Sequence, residues 1–149
     1  MKNNSALFYT CSLIEFIGRE QKLKRAELVQ ILGKKVIKRI YRYADVFHCE
    51  PIAKTADDFI TNFTISTGSF DNVAACRYTV PDYWTIGEVY ERLIEDVCGE
   101  EKDTDHVIDV LYEVYTSWID AAISNYNTDF YYQSREYIHV CYQEGTVCA

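Results

Sequence analysis

Only two prolines and six glycines occur in 149 residues, so the chain is short of the residues that tight turns demand. That scarcity excludes a many-stranded β architecture, which needs a turn signal roughly every 8–12 residues. Long hydrophobic runs are missing too: no stretch approaches the ~18 apolar residues of a membrane span. Ala6 to Ile14 is apolar, but only Lys2 precedes it, Glu15 follows at once and no small-residue cleavage site appears. It does not read as a secretory signal. A cytoplasmic location is the expectation, with no membrane partner, and the Asn-x-Ser/Thr matches at Asn3 and Asn62 then carry no glycan.

Chemical signatures are equally scarce. There is no Cys-x-x-Cys pair, G-x-S-x-G elbow, phosphate loop or dinucleotide fingerprint, and each of these chemistries depends on residue types at fixed spacing. The six cysteines (11, 49, 76, 98, 141 and 148) are scattered and read as free thiols, with Cys11 and Cys141 on apolar helix faces where a thiol acts as a small hydrophobe. His139 and Cys141 stand two apart on a predicted helix, so they point to different faces and make a poor metal pair. His48 and Cys49 are adjacent, which is no better. No cofactor, metal or catalytic residue is expected. An enzyme would need a Cys/His site assembled only by folding, around His48 or His139. Glu91 with Glu95 and Asp105 with Asp109 share helix faces and read as solvated surface.

What is present is globular: 48% hydrophobic and 26% charged residues, enough to build one core. From Asp105 to Tyr126, Val107, Ile108, Leu111, Val114, Tyr115, Trp118, Ile119, Ala122 and Ile123 keep a three-and-four spacing. Asp105, Asp109, Glu113, Thr116, Asp120 and Ser124 fall opposite. The pattern predicts one unbroken amphipathic helix. The fold expected is an all-α, single-domain bundle of six or seven helices, residues 1–149, around a long central helix at about 104–126, with one long loop at about 64–84.

The remaining helices follow from their stripes and punctuation. A first, apolar nearly all round, runs from about Ala6 to Gly18. A second covers Lys24 to Leu32 and stops at Gly33, and a third runs from about Lys35 to His48. Pro51 opens a fourth to about Phe63. Periodicity then lapses until Trp84, apart from a single helical turn near Asn72 to Cys76. Thr85-Ile86-Gly87-Glu88 reads as a capping box for a helix to Cys98. Asp103 or Thr104 caps the central helix, and Asn127 or Thr128 caps a last one to Glu144, ended by Gly145.

Charge is divided along the chain. Residues 19–42 hold nine Lys/Arg against two Glu, a net +7, whereas residues 43–149 hold five against twenty Asp/Glu, a net −15. Lys34, Lys35, Lys38, Arg39 and Arg42 form a basic patch whose two flanking helices loosely imitate a helix-turn-helix. Its face offers cations for phosphates but almost no polar side chains for base edges, and the acidic whole opposes approach to DNA. The cations are therefore expected to meet the chain's own acids or an acidic partner. Thirteen tyrosines are the other feature, and Tyr112, Tyr132 and Tyr126 are the expected exposed aromatics of a partner-binding or self-association surface.

Phe8, Cys11 and Ile14-Glu15, then Tyr43-Ala44-Asp45-Val46-Phe47-His48, then Asp57-Asp58-Phe59-Ile60, resemble a family of short, uncharacterised helical proteins of Gram-positive gut bacteria. The resemblance spans residues 1–63. Its members are encoded beside ADP-ribosyltransferase-like domains in the manner of a toxin and antitoxin. The resemblance implies a helical accessory protein of a bacterial or mobile-element operon with a toxin-like partner, and it brings no catalytic residues. The functional expectation is a non-enzymatic, antitoxin-like protein-interaction module. The alternative is a nucleic-acid-binding regulator using the basic segment 19–42.

Overall fold

The computed structural model describes residues 5–148; Lys2 and Asn3 lie outside the described residues. Among those residues there are nine α-helices and one 3-10 turn, with no strand. They are α1 (Ser5–Gln21), α2 (Arg25–Arg42), α3 (Ala44–Phe47), α4 (Ile52–Asn62), α5 (Asn72–Ala75), α6 (Tyr83–Cys98), α7 (Thr104–Tyr115), α8 (Ile119–Ser124) and α9 (Arg135–Glu144), with the 3-10 turn at Phe130–Tyr132. The all-α class and the single bundle are as expected. No helix of the described residues is long and apolar enough to cross a membrane.

The helix at the centre is α1. Residues from Leu7 to Gly18 are buried on nearly every side, as a helix without a polar face must be. It packs chiefly on α6, with α2, α3 and α4 around it. At the crossing, Gly87 of α6 sits against Ser12: a Cβ added there would lie 2.2 Å from Ser12 Oγ and 2.9 Å from its Cα. Only hydrogen fits, so this glycine sets the distance between the two helices.

The expected rod at 104–126 is two helices. Thr116 (φ −95°, ψ 4°) ends α7, and local side-chain bonds explain why. Thr116 Oγ1 donates to the Tyr112 carbonyl at 2.7 Å, Ser117 Oγ donates to that of Val114 at 2.7 Å, and the Ile119 N–H donates to Ser117 Oγ at 3.3 Å. Such bonds offer the backbone an alternative to the helical ladder. Leu111 and Ile119 nevertheless remain fully buried. The break matters for another reason: it re-aims Asp120, which a continuous helix would leave on the outer face, into the interior.

Other boundaries shift for equally local reasons. Gly33 (φ 79°, ψ 161°) leaves helical geometry inside α2 and divides it into two helical stretches at the expected boundary, whereas α3 is a separate turn after Tyr43. The capping box at Thr85 is not formed. Asp82 is the cap, its carboxylate accepting from the Thr85 N–H at 2.7 Å, so α6 starts earlier. Ser134 caps α9 through the Tyr137 N–H at 3.2 Å, so α9 starts later and the 3-10 turn at Phe130–Tyr132 precedes it.

The long loop is well tied down. Gly68 N–H donates to Gln21 O at 2.7 Å, Phe70 N–H donates to Lys22 O at 2.9 Å, and Gln21 Nε2 donates to Ile65 O at 2.6 Å. Asn127 clasps the other end: its Oδ1 accepts from Arg77 N–H at 2.7 Å and its Nδ2 donates to Ala75 O at 3.0 Å.

Candidate functional site

The basic patch lies along the outer flank of α2, and the structure divides it. Lys34 and Lys38 turn toward α7, where Lys34 Nζ is 3.2 Å from Asp109 and Lys38 Nζ is 2.6 Å from Asp105. Lys34 also sits 5.2 Å over the ring of Tyr112, which is half-buried. Lys35, Arg39 and Arg42 remain exposed. Their spacing places them on one flank of the helix, and that flank runs into Tyr43 and Val46, which are 51% and 61% exposed. Beside them opens a groove of about 460 Å³ lined by Phe8, Tyr9, Tyr41, Arg42, Asp45, His48 and Trp84. The Phe8 and Trp84 rings meet at 5.4 Å, and His48 lies 5.4 Å from the ring of Tyr9. Exposed Arg and Tyr beside an aromatic hollow is the composition that carries protein–protein binding energy.

Of the three tyrosines expected at a surface, Tyr132 is exposed, at 66%. It stands apart from the α2–α3 flank, beside a smaller hollow formed with Arg92 and Arg135. Tyr126 is not exposed: it is 97% buried, because the turn after α8 drives it inward. Its hydroxyl donates to Glu15 Oε2 at 2.8 Å and accepts from Arg25 Nη1 at 3.1 Å.

That hydroxyl belongs to a buried polar cluster which sequence patterns do not reveal. Arg25, one of the nine basic residues of segment 19–42, is 4% exposed, Glu15 2% and Asp120 5%. The Arg25 guanidinium donates from Nη1 to Glu15, from Nε to Asp120 Oδ1 at 2.9 Å and to the Tyr90 hydroxyl at 3.2 Å, and from Nη2 to Ser124 Oγ at 2.6 Å. Tyr90 in turn donates to Asp120, and its ring stacks on Tyr115 at 4.1 Å. Arg19 reaches Glu15 at 2.6 Å and the Pro81 carbonyl at 2.6 Å. One guanidinium therefore ties α1, α2, α6, α8 and the segment after α8 together. Burial alone would raise the Glu15 carboxyl, but the Arg25 and Arg19 charges, with hydrogen bonds from Arg19 and Tyr126, outweigh it and hold that group below its ordinary range. Burial pushes the Tyr90 and Tyr126 phenols up, so both stay protonated donors. The available signal was Glu15 itself, the one charge in the apolar stretch from Ser5 to Gly18, since buried charges occur when paired.

Above the cluster lies a cleft of about 470 Å³ between Lys24, Phe70, Asn72 and Asn125, with Asp120, Ser124 and Tyr126 also lining it. Among the described residues, no group of three or more His, Cys, Asp or Glu could hold a metal ion. Comparison with family models, curated proteins and solved structures returned no match to this chain.

Proposed function

We propose that the protein is a non-enzymatic interaction module, which docks an acidic segment of a protein partner on the flank formed by Lys35, Arg39, Arg42, Tyr43 and Val46. The observation that carries this reading is the run of exposed cations into exposed apolar side chains at the edge of an aromatic groove. Cations of this kind steer an acidic partner, and the aromatic hollow supplies the desolvated anchor site. Nucleic acid is the competing occupant. Against it stands the flank itself, whose Lys35, Arg39 and Arg42 offer cations for phosphates but whose remaining side chains, Tyr43 and Val46, are not the Asn, Gln, Ser or Thr that read base edges. The resemblance to helical proteins encoded beside ADP-ribosyltransferase-like domains makes such a domain the first partner to try, in an antitoxin-like role.

A photo-cross-linking amino acid placed at Tyr43, and separately at Tyr78, tests the reading in the native host. The expected outcome is a discrete protein adduct from position 43 and none from position 78. Adducts from 78 alone would overturn it. A duplex mobility shift that is lost in Arg39→Ala/Arg42→Ala would transfer the face to nucleic acid.

A further inference from the structure

We propose that Cys141 and Cys148 form an intramolecular disulfide that fastens the segment after α9 to that helix, made by exchange with a small disulfide such as oxidised glutathione. Cys141 is fully buried on the inner side of α9. Gly145, in the left-handed conformation (φ 80°, ψ 15°), reverses the chain, with its N–H on the Cys141 carbonyl at 2.9 Å. The returning backbone is held at two points. The Cys148 N–H donates to Cys141 Sγ at 3.2 Å, and the Tyr137 hydroxyl donates to the Cys148 carbonyl at 2.6 Å. The Cys141 sulfur therefore lies against the backbone of Cys148, within reach of that residue's own short side chain, as a bridge requires. Cys148 Sγ reaches the Thr146 carbonyl only at 4.0 Å, whereas Cys49 Sγ bonds the Asp45 carbonyl at 3.4 Å and Cys76 Sγ that of Tyr78 at 3.4 Å.

The chemistry balances as two exchanges. The Cys148 thiolate, the more accessible, attacks one sulfur of oxidised glutathione and expels one glutathione thiolate, leaving a mixed disulfide. Cys141 then attacks Cys148 Sγ, breaking its bond to the glutathione sulfur, and its proton passes to the departing thiolate, which leaves as the second glutathione. Two protein thiols are oxidised and one glutathione disulfide is reduced. The closed ring fixes Val147, which lines a hollow with Ala121, Phe130 and Tyr137.

The test treats the native, full-length chain with oxidised glutathione, quenches with acid, alkylates and digests. No Lys or Arg separates the two cysteines, so trypsin releases both in one peptide. The expected peptide is unalkylated and lighter by two hydrogens. Cleavage after Glu144 should then leave its two pieces joined until reductant is added. Cys49 and Cys76 should instead carry glutathione. In Cys148→Ser, Cys141 should stay alkylatable after denaturation. A native peptide that keeps two free thiols, or that carries glutathione stably on Cys148, would overturn the proposal.

Discussion

Replacing Arg25 by alanine would leave Glu15 and Asp120 buried without the guanidinium that meets both. Removing one partner from a buried ion network costs about 3–5 kcal/mol, a large share of the ~5–15 kcal/mol that holds a typical domain together. Urea titration should show that loss in the midpoint. Replacing Glu15, Arg25 and Asp120 together by apolar side chains of similar volume should restore most of it. An Arg25→Ala chain as stable as the parent would mean that the cluster is solvated. Acid provides a second handle on the same residues. The Glu15 carboxyl is held low in the folded state, against about 4.3 in an unfolded chain. Its stabilisation is therefore fully present above that unfolded value and is lost as pH falls through the folded one. The wild type should exceed Glu15→Gln in urea midpoint at neutral pH, and the two should converge as the solution is acidified. Parallel curves would contradict the assignment.

At the scale of elements, the helix pair α1 and α6 is set by Gly87, and a methyl group there has nowhere to go. Gly87→Ala should lower stability by about 1–3 kcal/mol, the usual cost of overpacking, although alanine is the better helix former. Combining it with Ser12→Gly, which removes the Oγ it strikes, should recover part of the loss, read as the coupling in a double-mutant cycle. Much of this level could be read from the chain. Periodicity located α1, α4, α6, α7 and α9 and the turn at α5, because burying an apolar stripe leaves a period in the sequence. Apart from the turn at Tyr43, the misplacements share one cause. Thr116, Ser117, Asp82 and Ser134 act through a single side-chain hydrogen bond to nearby backbone, and residue type alone does not say which candidate forms it. The break at Thr116 had the largest consequence, since extending the helical period through it put Asp120 on the wrong side. The buried cluster was hidden for that reason, and because Arg25 lies among residues that are indeed surface cations.

On the scale of the whole molecule, the division of charge serves the fold only in part. Lys34 and Lys38 meet Asp109 and Asp105 across the α2–α7 contact, as the excess of acids over residues 43–149 led one to expect. Surface pairs of this kind contribute little and weaken with salt. The other cations of the flank, Lys35, Arg39 and Arg42, lead to Tyr43, Val46 and the groove at Trp84. That juxtaposition depends on how the chain folds back between α1 and α3, which no linear pattern encodes. The measurement that tests the account most directly is quantitative copurification from the native host, comparing the tagged wild type with Arg39→Glu/Arg42→Glu. Both positions are exposed, so the variant should fold with an unchanged urea midpoint. The account predicts a stoichiometric protein with the wild type and at least about a tenfold loss of it with the variant, as expected when rim charges that steer a partner are reversed. Equal recovery by both chains would contradict it.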